Sequence, residues 1–82
     1  MKIREFESKE ALITVVTEDY EVFSVYEERY LENYKVAPKV KIGEFISKDI
    51  DGRINSEKTF SDFLQNRFNI TDVYSVNDFR EV

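Results

Sequence analysis

The sequence predicts a small α+β fold: a mostly antiparallel sheet of roughly three to five short strands, with one helix at about residues 57–68 packed on one face. Three observations predict it. Short runs of β-branched and aromatic residues are bounded by charge, as strands are. Phe60, Phe63, Leu64 and Phe68 recur at i, i+3, i+4 and i+8, the spacing of a helix with one apolar stripe. The chain has 82 residues, enough for one domain over 1–82, and its seven Phe and five Tyr supply large rings for a thin core.

The elements follow in order. Lys2 to Phe6 reads as a short strand. Ser8-Lys9-Glu10-Ala11 reads as a turn or a helix start with Ser8 as cap. Leu12-Ile13-Thr14-Val15-Val16 is a β-branched run and predicts a buried strand, with a short helix through Leu12, Val15 and Val16 as the competing reading. Glu18-Asp19 predicts a tight hairpin loop, although the Asn-Gly or Asp-Gly signature is absent. Tyr20 to Tyr26 predicts the next strand, with Tyr20, Val22 and Tyr26 on one face and Phe23 and Val25 on the other.

At Glu27 the period changes. Tyr30, Leu31 and Tyr34 sit at helical spacing, and Glu27 and Glu28 suit the positive end of a helix, so Glu27 to Tyr34 predicts a helix. Pro38 stops it. Lys39-Val40-Lys41-Ile42 alternates and predicts a strand with Val40 and Ile42 inward, extended by Glu44-Phe45-Ile46. Gly43 marks a bulge or bend. Asp49-Ile50-Asp51-Gly52 is the strongest turn, since Asp side chains mimic backbone turns and Gly accepts positive φ. The Phe60–Phe68 helix follows, capped by Asn55, Ser56 or Thr59 and stopped at Asn69. The tail reads either as a strand through Val73-Tyr74-Ser75-Val76 or as a helical turn around Phe79.

Composition restricts the chemistry. With no His and no Cys, and only two Gly, the residues that most metal, thiol and phosphate-loop chemistries need are absent. Carboxylate pairs such as Glu27-Glu28 exist, but no nucleophile–base constellation is visible. The expectation is a protein that is not an enzyme and needs no cofactor or metal. No stretch approaches the roughly 18 apolar residues of a membrane span, and the first residues lack an apolar signal-peptide core, which points to the cytoplasm and away from membranes.

Ser47 to Lys58 resembles part of an EF-hand calcium loop: Asp49, Asp51, Gly52 and Ile54 fall on expected positions. Ser47 stands where the first acid belongs, and Lys58 replaces the bidentate Glu. An Asp-Gly turn leading into a capped helix is the favoured reading.

Charge is uneven. Seventeen acids against twelve bases give a net −5, which disfavours non-specific nucleic-acid binding. Glu18, Asp19, Glu21, Glu27, Glu28 and Glu32 are interleaved with aromatics, and Lys35, Lys39 and Lys41 follow. The plain reading is solvated faces that pair locally. The functional reading is a non-catalytic protein-interaction module, self-association included, contacting its partner through Tyr20, Tyr26, Tyr30 and Tyr34 with Glu27 and Glu28. Tyr is enriched at interfaces, and the acids would select a basic protein or a second copy. One alternative is a weak single-stranded nucleic-acid binder using Lys35, Lys39 and Lys41 beside Tyr34 and Phe45. Another is an acidic inhibitor of a nucleic-acid-binding protein. The Phe60–Phe68 stripe is read as core rather than as a docking helix.

Overall fold

The computed structural model describes residues 1–50 and the backbone of 57–82, with side chains from residue 60 onward in that second part. Six strands among the described residues form one antiparallel sheet: β1 (Lys2–Glu7), β2 (Ala11–Thr17), β3 (Val22–Arg29), β4 (Val40–Ile46), β5 (Tyr74–Ser75) and β6 (Arg80–Glu81). The order is β4-β3-β2-β1-β5, with β6 also on the outer edge of β1. One helix, α1 (Glu57–Phe68), covers one face. The predicted α+β architecture is thus present, with more strands than expected because the tail supplies two.

Leu12 to Val16 form a strand rather than the competing helix. The segment lies at the sheet centre, where β1 and β3 both supply ladder partners, from Glu7↔Leu12 to Lys2↔Thr17 on one side and from Ala11↔Arg29 to Thr17↔Phe23 on the other. Ser8 holds the first hairpin: its Oγ accepts from the Ala11 N–H at 3.0 Å and donates to the Ala11 carbonyl at 2.9 Å. This makes Ser8 a turn residue and not a helix cap.

Strand alternation sorts the side chains. Phe6, Ala11, Ile13, Val15, Phe23, Val25 and Phe45 face α1 and are buried with Phe60 and Leu64. Phe23 stacks on Phe45 at 4.9 Å between centroids, and Phe6 on Phe60 at 5.2 Å. Such pairs add about 0.5–1.5 kcal/mol each beyond the area they bury. Phe63 and Phe68 complete the stripe, so this helix face closes the chain's own core.

Arg4 sits within that core, only 2% exposed. Its guanidinium lies over the rings of Phe6, Phe60 and Phe79 at 5.0, 5.4 and 5.8 Å. Its Nε donates to the Asn77 carbonyl at 3.1 Å. A buried cation costs free energy unless it is hydrogen-bonded; here the bonds also fasten the C-terminal segment to β1. The tail is therefore the short β5 and β6 with Phe79 folded inward, and no helical turn forms around Phe79.

Three local expectations change. Glu27 to Tyr34 is not a helix: Glu27–Arg29 extend β3, whose ladder with β2 outweighs a short local helix. Only Glu32–Tyr34 make a single 3₁₀ turn, ended by left-handed Asn33 (φ 64°) and Tyr34 (φ 61°). The register shift in β4 leaves Ile42, not Gly43, as the extra residue between Gly43 and Lys41. Gly43 serves a close approach instead: a Cβ there would lie 2.5 Å from Cε1 of Phe68. Val40 is 57% exposed, while Ile42 packs against the core.

Helix α1 stops as expected at Asn69, left-handed at φ 54°. Residues 47–50 form a short 3₁₀ turn in which the Asp49 carboxylate accepts from the Ile46 N–H at 2.9 Å. Asp51, Gly52, Ile54 and the caps at Asn55 and Ser56 lie outside the described residues, as does the Thr59 side chain.

Candidate interaction surface

The face of the sheet opposite α1 is not covered by any described element. It carries Glu7, Leu12, Thr14, Val16, Ser24, Tyr26, Glu28, Lys41 and Glu44, placed by the register of β1 through β4. Beyond the sheet the chain between β3 and β4 projects as an arm. Its base is the Tyr30↔Val36 bridge with the Ala37 N–H donated to the Arg29 carbonyl at 2.8 Å, and its tip closes by Leu31 N–H to the Lys35 carbonyl at 2.7 Å. Apart from the Tyr30 N–H, which donates to the Glu10 carbonyl at 2.9 Å, these bonds stay within the arm. Tyr34 is fully exposed, and Tyr30, Leu31 and Val36 are about half exposed. Residues Tyr30 to Val36 line an open cleft of about 640 Å³.

The residues expected to share one surface are divided. Tyr30 and Tyr34 lie together on the arm. Tyr26 and Glu28 lie on the open sheet face, opposite Thr14 and Leu12. Glu27 points to the helix side, opposite Ile13, and its carboxylate is 3.5 Å from Arg29. Tyr20 leaves the group altogether. It precedes β3 at φ 60°, packs edge-on to Phe79 at 5.5 Å, and has the Lys2 ammonium 5.4 Å over its ring. Tyr20 therefore shares no strand face with Val22 and Tyr26.

The acids have local cations: Glu28 with Lys39 at 3.7 Å and Glu10 with Arg29 at 2.9 Å. Lys41 meets Glu44 at 3.0 Å. Exposed pairs of this kind contribute about 0–1 kcal/mol, but they break up any single-sign field. Phe45, named beside the lysines as a base-stacking ring, is in the core.

Sequence reasoning missed Tyr74. Its hydroxyl donates to the Glu7 carboxylate at 2.7 Å at the top of the open face, beside the arm. The bond to Glu7, and then the charge of Glu7, hold the Tyr74 phenol above its ordinary 10.0. Tyr30 is also raised, first by partial burial and then by Glu7 and Glu28. Both stay neutral donors at physiological pH. Only the ladder Glu7↔Tyr74 could have revealed this neighbour, and it joins residues far apart in the chain.

Among the described residues no three acidic side chains converge as a metal site would require, and no helix is long and apolar enough to cross a membrane. Comparison of the chain with protein-family models, curated proteins and solved structures finds no match.

Proposed function

We propose that the chain is a non-catalytic protein-interaction module whose contact element is the arm between β3 and β4. The observation that supports it is the exposure of Tyr30, Leu31, Tyr34 and Val36 on one self-bonded projection. Apolar side chains are not normally gathered at a solvent-facing tip in a chain of 82 residues whose core needs every ring it can bury. Amphipathic Tyr suits such a contact, since it brings large area with little conformational entropy to lose. Glu32 on the tip favours a partner with a basic residue facing it.

The test is Tyr30→Ser with Tyr34→Ser, examined by capture of partners and by light scattering. Loss of a captured protein from a variant that still folds supports the reading. Unchanged partners and unchanged mass in the folded variant refute it. Single-strand binding is the weaker alternative: Lys39 and Lys41 already face carboxylates, and Phe45 is in the core.

A further inference from the structure

We infer that the outer edge of β4 pairs antiparallel with β4 of a second copy, in one register. This goes beyond the arm: it commits to another copy of the chain, and its residues, Lys39 to Ile46, lie outside the arm cleft.

β4 is the terminal strand of the sheet, and among the described residues no strand lies against its outer edge. The directions of its main-chain groups can be read from neighbouring bonds. The Arg29 carbonyl accepts from Ala37, on the β4 side, while the Tyr30 N–H turns the other way to the Glu10 carbonyl. By alternation the odd residues of β3 bond toward β4. Phe45 and Gly43, opposite Phe23 and Val25, therefore point inward. Glu44, opposite Ser24, and Lys41, opposite Tyr26, turn their main-chain groups outward. The Ile46 N–H also points outward, where the Asp49 carboxylate takes it at 2.9 Å.

The bulge then selects the register. Without it, Lys41 and Glu44 would lie on opposite faces of the sheet; with Ile42 as an extra residue, both side chains lie on the open face. A two-fold axis between Ile42 and Gly43 places each Lys41 opposite Glu44 of the second copy, Val40 opposite Phe45, and Lys39 opposite Ile46. Every opposed pair then shares a face, as antiparallel pairing demands. Shifting by one residue would set open-face side chains against core-side ones. Charges match as well: the Lys41–Glu44 pair, 3.0 Å apart within one chain, becomes a ring of four alternating charges. Asp49 occupies the next outward amide and ends the ladder there. Lysines and bulges usually discourage edge pairing; here the bulge opposes a one-residue shift, and the match of Lys41 with Glu44 favours this register.

The experiment is light scattering across a concentration series at about 0.15 M salt, where repulsion between two acidic chains is screened beyond about 8 Å. The mass of the native chain should rise from one copy to two. Lys41→Glu and Glu44→Lys should each raise the midpoint concentration by roughly tenfold or more, because each sets like charges opposite one another twice. An equimolar mixture of the two variants should associate like the native chain, since both opposed pairs are then complementary; this rescue also excludes misfolding as the cause. In the native chain, the amides of Lys41 and Glu44 should exchange with deuterium more slowly as concentration rises. A monomer throughout overturns the pairing and leaves the arm reading standing. A dimer whose β4 amides do not slow, and which neither reversal weakens, also overturns it. If Tyr30→Ser with Tyr34→Ser dissolves that dimer, the copies meet through the arms.

Discussion

Two hairpin connections flank β3, and each carries a tyrosine in the left-handed region, at nearly the same φ. In the first, between β2 and β3, Tyr20 (φ 60°) folds onto Phe79 and beneath Lys2. In the second, the arm, Tyr34 (φ 61°) meets only solvent. The backbone conformation is shared; the fastening is not. The first loop is tied by side chains: Thr17 Oγ1 accepts from the Tyr20 N–H at 3.0 Å and donates to the Val22 carbonyl at 2.7 Å. The Asp19 carboxylate accepts from Glu21 at 2.8 Å and Val22 at 3.2 Å. The arm is held by main-chain bonds at its base and tip, with the half-exposed Glu28–Lys39 ion pair at 3.7 Å across its legs and no side-chain cap on Tyr34 among the described residues. A tyrosine in a loop is thus packed where side-chain caps aim it at another ring, and left in solvent where none do.

The comparison is broken most severely at Thr17, which is 2% exposed. Thr17→Val keeps the shape but leaves the Tyr20 N–H and the Val22 carbonyl short of a partner, and should cost about 1–3 kcal/mol in urea unfolding. A midpoint equal to that of the native chain would show that the cap does not position Tyr20.

The paired substitutions Tyr20→Ser and Tyr34→Ser sharpen it. The first removes the contact with Phe79 and should cost about 1–2 kcal/mol. The second should stay within about 0.5 kcal/mol, as surface changes do. Equal losses would mean that the arm packs like the first loop.

The smallest effect is a pH dependence. The backbone bonds from Glu21 and Val22 hold the Asp19 carboxyl below its ordinary 3.8. A depressed folded-state value contributes stability above the unfolded value and loses it as pH falls through the folded one. The advantage of the native chain over Asp19→Ala should therefore be constant near neutrality and shrink below 3.8. An equal gap at neutral and strongly acid pH would remove Asp19 from the account of the loop.

The strands and the helix were legible because each carries its own period: Leu12 to Val16 with branched side chains, Phe23 and Val25 with strict alternation, Phe60 to Phe68 with helical spacing. The stretch from Glu27 to Tyr34 misled because its helical spacing of Tyr30, Leu31 and Tyr34 is real but unsupported. Eight residues cannot hold a helix against a strand already paired to β2. Of the residues read as one contact, Tyr30 and Tyr34 lie on one arm, Tyr26 and Glu28 on the open sheet face, and Tyr20 and Glu27 elsewhere, because nearness in the chain does not fix which face a side chain takes.

By itself the sequence determined the alternation of Phe23 and Val25 and the apolar stripe of α1 that must be buried, because periodicity acts between near neighbours. The tertiary structure decided the fate of each tyrosine and acid. Phe79 reaches Tyr20, Tyr74 reaches Glu7, and the bulge at Ile42 brings Lys41 and Glu44 to one face. Those contacts join residues remote in the chain or depend on pairing with a neighbouring strand, and local spacing carries no record of either.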